Sequence, residues 1–331
     1  MTMPKVKIGP YESSNVAFGA MNVVHVYQPQ PDEATGIRLL NEALDEGYTM
    51  MDSAALYGFG RSEKMIAKAI MHRRSEFILA TKGVLTIGPD GKRLMDGHPD
   101  RIREQCHASL KRLGTDFVEL YYLHRYDKRY PLEDMVGAVS RLVEEGKVGA
   151  IGLSEMSADN LRLAHSVHPI AAMQTEYSLW TRNAEIAVLD ACKELDVAFV
   201  AFSPTARKFL TGQLHEPWNL PQGDLRLTMP RFNEENYPKN MSLLQGFLAL
   251  AKEAAVSPAE LSIAWVLAQG ENIIALPGTT SSEHMRENAN AGRVQIDADI
   301  IRRAGDLINQ QTVHGPRYNP AAQADIDTEE F

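Results

Sequence analysis

A chain of 331 residues is long enough for one large α/β domain or for two ordinary domains. Its composition, with 44% hydrophobic and 23% charged residues, is typical of folded globular proteins and excludes a disordered chain. The net charge of −9 comes without a run of Lys or Arg, which argues against nucleic acid as a partner and favours a small molecule.

Two further features concern location and redox chemistry. Residues 1–21 lack the long apolar run of a signal peptide, and no later segment is long and apolar enough to span a bilayer. We therefore predict a cytoplasmic protein without a membrane partner, and the acidic composition leaves its oligomeric state open. Cys106 and Cys192 lie in separate predicted helices without CxxC spacing, so we expect packed thiols rather than a disulfide or a zinc site.

Predicted strands and helices alternate along the chain. Short runs rich in Val, Ile, Phe and Tyr indicate strands buried on both faces, and apolar residues at helical spacing indicate helices between them. In chain order, the predicted elements are strand 15–21, helix 32–47, strand 48–54, helix 62–71, strand 77–83, helix 101–114, strand 117–124, helix 132–146, strand 148–155, helix 157–167, strand 171–177, helix 184–195, strand 198–204, helices 243–256 and 258–270, strand 273–278 and helix 281–291.

This alternation contains eight strands, which favours a (β/α)8 TIM barrel with parallel strands over an open sheet. We predict a single domain over residues 1–331. The widest gap, 205–240, is a predicted lid or substrate loop in which Trp218 and Phe232 offer an apolar wall. Residues 309–331 are predicted to form an irregular tail, either packed over the pocket or mobile.

Four ionisable residues, Asp52, Tyr57, Lys82 and His124, lie at or just beyond the ends of three consecutive predicted strands. The carboxyl ends of barrel strands line one shared pocket, so we expect these side chains to converge there. Each residue also has a simpler interpretation. Asp52 could cap the following helix, and Tyr57 or His124 could be a packed polar residue. Lys82 directly follows an apolar strand and must be either at the surface or paired.

Together the four residues fit the reduction of a carbonyl group by a nicotinamide, which needs an acid to protonate the oxygen. Tyr57 is the candidate acid, and a nearby ammonium group is expected to lower its pKa by favouring the phenolate. Lys82 would supply that ammonium group, with Asp52 as its carboxylate partner. His124 would orient the substrate oxygen or relay the proton.

The segments MDSAALYGFGRSE, ILATKG and YYLHR, followed in order by GLSE, QTEYSLW, AFSP, FLTG and LPGTTSSEHMRENA, resemble the aldo-keto reductase superfamily over almost the full chain. The resemblance is greatest to the bacterial and fungal branch whose fifth strand reads GLSE. It implies an enzyme that reduces aldehydes or ketones to alcohols with NADPH, with NADH as the alternative cofactor. Tyr57 would be the general acid, Lys82 and Asp52 would tune it, and His124 would place the carbonyl.

The resemblance also implies a set of residues that bind the cofactor. Ser154, Glu155 and Gln174 would hold the nicotinamide carboxamide, and Phe202 would stack on the nicotinamide ring where relatives commonly have Tyr. The residues implied for the pyrophosphate and the adenosine end are Ser203, Leu210, Gly212, Gly278, Thr279, Thr280, His284, Glu287 and Asn288.

Some of these positions depart from the pattern of the family. Glu155 replaces a common Asn, and its carboxylate could still accept a hydrogen bond from the carboxamide. Thr280 and His284 stand where relatives commonly carry Lys or Arg against the 2′-phosphate. Arg286, Arg207 or Lys208 are candidates to compensate for this missing charge.

Three other functions compete with a reductase. A Rossmann dehydrogenase is disfavoured because GFGRSE lacks the third glycine of GxGxxG, which is replaced by Glu63. A metal-dependent hydrolase built on His124 and Asp127 is disfavoured because the chain contains no HxH or HExxH spacing, so no metal is expected. A sensor or regulatory subunit of the same fold, which binds the cofactor but turns over slowly, is not excluded by sequence.

Overall fold

Parallel strands buried on both faces form the centre of the structure, a computed structural model that describes residues 2–24, 26–88 and 91–331. The strands, numbered in chain order, are β1 (Lys5–Ile8), β2 (Tyr11–Ser14), β3 (Phe18–Gly19), β4 (Met50–Asp52), β5 (Ile78–Gly83), β6 (Leu85–Ile87), β7 (Arg93–Met95), β8 (Val118–Leu123), β9 (Val148–Ser154), β10 (Ile170–Glu176), β11 (Ala198–Phe202) and β12 (Ile273–Leu276).

Helices surround these strands. They are α1 (Glu33–Asp45), α2 (Arg61–Ile70), α3 (Pro99–Leu113), α4 (Leu132–Glu144), α5 (Ala158–Val167), α6 (Val188–Glu194), α7 (Tyr237–Glu253), α8 (Pro258–Leu267), α9 (Ser282–Ala291), α10 (Ala298–Leu307) and α11 (Pro320–Gln323). Several helices begin where the sequence supplies a capping side chain. Ser257 and Glu260, for example, form a reciprocal capping box at the start of α8. Within the described residues, no helix has both the length and the apolar character needed to cross a membrane.

The eight-stranded sheet has the order β12-β11-β10-β9-β8-β5-β4-β3, and every neighbouring pair is parallel. The two edges meet because Val16 bridges Ala275 and the amide of Ala17 donates to the carbonyl of Ala275 at 2.8 Å. The predicted (β/α)8 barrel is therefore confirmed.

A hairpin of β1 and β2 precedes the barrel and was not predicted. Val6 and Ile8 of this hairpin belong to the same apolar cluster as inward-facing barrel residues such as Ala80 and Ala172. The hairpin thus closes the amino-terminal end of the barrel and leaves the carboxyl-terminal end for the cleft. A second hairpin that was not predicted, formed by β6 and β7, follows β5 at the cleft end of the barrel.

The segment between β11 and α7 differs from the predicted loop 205–240, because α7 already begins at Tyr237. The segment contains four short 3-10 helices, Phe209–Thr211, Pro217–Asn219, Leu225–Thr228 and Pro230–Phe232. Phe232 is buried and its ring lies 5.7 Å from that of Tyr237. The ring of Trp218 lies 6.5 Å from the same Tyr237 ring.

The prediction that Trp218 and Phe232 wall the substrate pocket is therefore wrong. Neither side chain lines the cleft, because the two rings pack around Tyr237 instead. Burial of large aromatic surface in such a cluster stabilises the segment, so its conformation follows its own core rather than the pocket.

The carboxyl-terminal tail packs over the open end of the barrel, which decides between the two predicted alternatives. Asp327 pairs with Met156 in a parallel bridge, and its amide donates to the carbonyl of Glu155 at 2.9 Å. Its carboxylate also lies 2.8 Å from Nζ of Lys128. The tail contains the short helix α11, so it is only partly irregular.

Candidate active site

A cleft of about 690 Å³ opens at the carboxyl-terminal ends of the barrel strands. Most of the residues predicted for the site line it, namely Asp52, Tyr57, His124, Ser154, Gln174, Phe202, Ser203, Gly278, Thr279, Thr280, His284, Glu287 and Asn288. Four predicted residues do not line the cleft: Lys82, Glu155, Leu210 and Gly212. Of these, Lys82 lies directly beneath the cleft and contacts two residues of its wall.

Strand geometry explains why the four ionisable residues meet. Side chains alternate across a strand, so one residue in two points into the barrel. Asp52 ends β4, and Lys82 lies one residue before the end of the neighbouring strand β5. Tyr57 begins a short 3-10 turn after β4, and the left-handed residues Gly58 and Gly60 then lead the chain into α2.

The ammonium group of Lys82 is wholly buried and has three oxygen partners. It donates to Oδ1 of Asp52, to the carbonyl oxygen of Ser53 at 2.8 Å, and to the phenolic oxygen of Tyr57 at 3.3 Å. Gln174 completes the network because its Nε2 donates to the other carboxylate oxygen of Asp52 at 2.8 Å. A buried cation is tolerable only with such partners.

Burial raises the pKa of Tyr57 above its ordinary value, while the nearby Lys82 ammonium acts in the opposite direction. The net shift is thus opposite to the lowering expected from the lysine alone. Burial likewise raises the pKa of Asp52, against the effect of Lys82. Tyr57 therefore remains a phenol at neutral pH and holds a proton that it can donate, next to a cation that can stabilise the phenolate.

His124 is a second neighbour of Tyr57. The two rings meet edge to face, with centroids 5.8 Å apart and an interplanar angle of 84°. The backbone of His124 is held by a hydrogen bond from its amide to the carbonyl of Gly83 at 3.3 Å. A substrate oxygen bound beside the Tyr57 hydroxyl would therefore also lie near the imidazole ring.

A second part of the cleft wall is polar and lies at the start of α9. The hydroxyl of Thr279 accepts from the amide of Ser281 at 3.1 Å, and Ser281 caps the helix by accepting from the amide of His284. Hydroxyl groups and free amides at a helix amino terminus suit the phosphate groups of a nucleotide. The donor set here therefore fits the phosphate end of a dinucleotide.

Comparison with known proteins decides the family. Residues 15–308 match the Aldo/keto reductase family, which is most of the chain. The chain belongs to this family. As a member, it is an enzyme and an oxidoreductase.

Two relatives and one solved structure show the extent of the similarity. The aldo-keto reductase yakc [NADP(+)] of Schizosaccharomyces pombe is 37% identical over 98% of this chain and 97% of its own length. The aldo-keto reductase str7 of Strobilurus tenacellus is 37% identical over 100% and 99%. The structure of glycerol dehydrogenase AKR11B4 from Gluconobacter oxydans superposes with a TM-score of 0.85 at 28% identity, covering 97% of this chain and 99% of that one.

Glu155 of this aldo/keto reductase does not lie where a contact with the nicotinamide carboxamide would require it. The Glu155 carboxylate is fully buried, lies 2.7 Å from Nη2 of Arg317 in the tail, and accepts from the amide of Glu176 at 2.8 Å. It is therefore occupied away from the cleft and is not oriented toward a carboxamide. The acidic side chain that replaces the common Asn serves instead to hold the tail.

Leu210 and Gly212 of the aldo/keto reductase also lie off the cleft wall, whereas their neighbours Thr211 and Gln213 line it. Leu210 is completely buried. A Cβ atom on Gly212 would contact the side chain of Leu248 at 3.1 Å. These two residues therefore pack the base of the loop.

The three cations named as possible partners for a 2′-phosphate differ in availability. Arg286 pairs with Glu46 at 3.0 Å on the outside of the barrel, and Arg207 is buried against Glu176 at 2.7 Å. Lys208 is exposed, lines the cleft, and has no ion-pair partner among the described residues. Only Lys208 therefore remains a candidate.

Several residues of the cleft were not identified from the sequence. They include Arg93 from the unpredicted hairpin, Arg125 after His124, Tyr27, Arg226, and Tyr318, Asp325 and Ile326 from the tail. Arg125 belongs to the segment YYLHR, but nothing in that segment distinguishes it from a surface arginine. The tail residues have no sequence pattern that would place them, because only the folded chain brings them over the barrel.

Proposed function

We propose that this aldo/keto reductase reduces aldehydes or ketones to alcohols with NADPH and that Tyr57 is its general acid. The single observation that carries the proposal is the phenolic oxygen of Tyr57, which lines the cleft and lies 3.3 Å from the buried ammonium of Lys82. A protonated phenol beside a cation is suited to protonate a carbonyl oxygen in a site that excludes water.

The reaction balances with one hydride and one proton. When bound in the cleft, NADPH would supply the hydride that reduces the carbonyl carbon. Tyr57 transfers its proton to the carbonyl oxygen, so that an alcohol forms and a phenolate remains. The C=O π bond breaks, a C–H bond and an O–H bond form, and water later returns the proton to Tyr57.

Lys82 and Asp52 act when Tyr57 is a phenolate. The Lys82 ammonium faces the phenolate oxygen and stabilises its negative charge, and Asp52 together with the Ser53 carbonyl keeps the ammonium in place. His124, whose ring meets that of Tyr57 edge to face, orients the substrate oxygen. In the direction of alcohol oxidation, the same phenolate accepts the proton of the alcohol.

Residues of the cleft wall would hold the cofactor. We assign the nicotinamide end to Ser154, Gln174 and Phe202, and the phosphate and adenosine end to Gly278, Thr279 and the start of α9. NADPH rather than NADH is proposed because the yakc relative is named for NADP(+). Thr280 and His284 would contact the 2′-phosphate by hydrogen bonds in place of a stronger ion pair.

The test compares the wild type with Tyr57→Phe, using Tyr11→Phe at the opposite end of the barrel as the control. Loss of NADPH absorbance with benzaldehyde measures turnover, and quenching of protein fluorescence measures dinucleotide binding. We expect Tyr57→Phe to lose most of the turnover, by about 100-fold or more, with nearly unchanged binding. Tyr11→Phe should behave as the wild type.

Two outcomes would contradict the proposal. Retained turnover in Tyr57→Phe would remove Tyr57 as the acid. Tight binding of NADPH by the wild type without turnover of any aldehyde or ketone would instead indicate a sensor that uses the same cleft.

A further inference from the structure

Four arginines line the cleft, and three of them are paired with a carboxylate. Arg93 lies 2.5 Å from Asp325, Arg207 lies 2.7 Å from Glu176, and Arg226 lies 2.8 Å from Asp224, in each case nitrogen to oxygen. Arg125 is the exception, because no carboxylate of the described residues lies within ion-pair distance of its guanidinium. Within the part of the chain that the structure describes, its charge is therefore uncompensated.

Arg125 is also placed directly beside the reacting centre. It follows His124 in the chain, and its Nη1 donates to the carbonyl oxygen of His124 at 2.6 Å and to Oγ of Ser154 at 3.2 Å. Its Nε is buried and has no hydrogen-bond partner in the part of the chain that the structure describes. The guanidinium is close enough to Tyr57 to lower the pKa of that phenol, against the larger effect of burial.

An unpaired cation in such a place is unfavourable unless a ligand brings the opposite charge. A guanidinium presents two parallel N–H donors that match the two oxygens of a carboxylate. One cation balances one negative charge, which fits a carboxylate monoanion better than a phosphate group of charge near −2.

We propose that Arg125 is a specificity-determining residue and that the preferred substrates are aldehydes or ketones that carry a carboxylate. Arg125 binds the carboxylate while Tyr57 and His124 contact the carbonyl oxygen. This inference rests on the proposed reductase function and adds the substrate class to it. The reacting atoms follow the same balance as above, and the carboxylate itself remains unchanged.

The experiment uses matched pairs of aldehydes that differ in charge and hardly in shape. Each of the ortho, meta and para carboxybenzaldehydes is paired with its carbamoyl analogue, and succinic semialdehyde is paired with its amide. The measured quantity is the ratio of kcat/KM for the carboxylate over the neutral partner, with NADPH. The enzymes are the wild type, Arg125→Gln, Arg125→Lys and, as a control, Arg162→Gln, which removes an equal charge on the outer helix α5.

We expect the wild type to prefer the carboxylate in at least one pair by about 10- to 100-fold, the range for a hydrogen-bonded charge. Arg125→Gln should abolish this preference, mainly through KM, and Arg125→Lys should restore part of it because the charge remains. Arg162→Gln should keep the wild-type ratio. A residue that only supports the fold would lower kcat/KM for both partners equally and leave the ratio unchanged.

The results distinguish a failure of the assignment of Arg125 from a failure of the proposed reductase function. If neutral aldehydes are reduced and no pair shows a preference, or the preference survives in Arg125→Gln, then the assignment of Arg125 is wrong and the reductase function stands. If the wild type reduces no aldehyde of either kind, then the proposed function fails and the substrate class fails with it.

Discussion

The ammonium nitrogen of Lys82 lies 3.3 Å from the phenolic oxygen of Tyr57, and it also lies 4.9 Å from the centre of the Tyr57 ring. Lys82 is completely buried, so its charge acts through a medium of low polarity and with little screening by salt. Tyr27 and Tyr318 of the cleft contact an arginine, whereas Tyr57 contacts this lysine. The Tyr57 phenolate has a permanent cationic neighbour.

Lys82→Met should raise the pKa of Tyr57, because the lysine lowers this pKa, whereas burial and the Asp52 carboxylate, which raise it, remain in the variant. Alcohol oxidation needs the phenolate, so the rising limb of its pH profile should move to higher pH. Lys82→Arg keeps the charge and should move the limb less. The measurement is kcat/KM for oxidation of benzyl alcohol with NADP+ between neutral and strongly alkaline pH.

Lys82→Met also leaves Asp52 buried without its cation, so folding has to be checked by circular dichroism and dinucleotide binding. A folded Lys82→Met whose limb stays at the wild-type position would show that the lysine does not tune Tyr57. A limb displaced to lower pH would contradict the direction of the electrostatic effect.

Thr280→Arg and His284→Arg should strengthen binding of NADPH relative to NADH, because each adds a cation to the cleft wall at the start of α9. A new charge-assisted contact to the 2′-phosphate is expected to change the ratio of dissociation constants by about 10-fold. Fluorescence titration with both dinucleotides measures the ratio. Glu283→Gln makes the same change in net charge at an exposed position of α9 off the cleft wall and should leave the ratio unchanged.

An unchanged ratio in both arginine variants would place the 2′-phosphate elsewhere, with Lys208 as the next position to replace. A fall in NADH binding alone, without a gain for NADPH, would also count against the assignment of α9.

Arg317→Ala should destabilise the protein through the tail. Arg317 is buried and lies 2.7 Å from Glu155 and 3.0 Å from Glu176, so its removal leaves two buried carboxylates with fewer positive partners. The loss of one partner of a buried pair costs roughly 3–5 kcal/mol in the free energy of unfolding. Arg303→Ala, which removes a surface pair with Glu253, is the matched control and should change stability little.

Thermal and urea unfolding followed by circular dichroism measure the difference, and limited proteolysis reports on the tail. Equal stability of the two variants would show that the buried ion pairs do not hold the tail over the cleft.

Glu176 should make the stability depend on pH in the acid range. Burial alone would raise its pKa, but the charges of Arg207 and Arg317 outweigh burial and lower the pKa of Glu176 from 4.5 to about 2. Because the pKa is lower in the folded state, the stabilisation is complete above about pH 4.5 and is lost as the pH falls toward 2. The shift corresponds to about 3 kcal/mol.

Glu176→Gln removes this titration and leaves two buried arginines, so the variant should be less stable near neutral pH and its stability should fall less steeply below pH 4.5. Urea unfolding at a series of pH values tests this. Parallel curves for the two proteins would exclude Glu176 as a source of acid sensitivity.

Much of the barrel could be predicted because its information is local. An apolar run bounded by Gly or polar residues, as in FILATKG, identifies a buried strand, and the number of alternating units then favours a closed barrel. The position of Lys82 just before the end of such a strand also restricts its environment, since a lysine there must be either at the surface or paired. The meeting of Asp52, Tyr57 and His124 at the cleft follows from the same regular arrangement of strand ends.

The predictions that were wrong concern side chains whose positions depend on contacts between distant segments. Nothing local in PRFNEEN indicates that Phe232 packs against Trp180 and Tyr237 rather than facing a substrate, because a buried aromatic cluster and a pocket wall have the same composition. The same limit applies to Glu155, whose partner Arg317 lies far along the chain.

The sequence by itself determined the order of strands and helices, and with it the residues that stand at the strand ends, because hydrophobic periodicity is a property of neighbouring residues. Only the tertiary structure decided which charges neutralise one another. Arg93, Arg207 and Arg226 are paired within the cleft, and Arg125 is left without a carboxylate among the described residues. The energy of a charge depends on its distance to other charges and to water, and folding sets both distances.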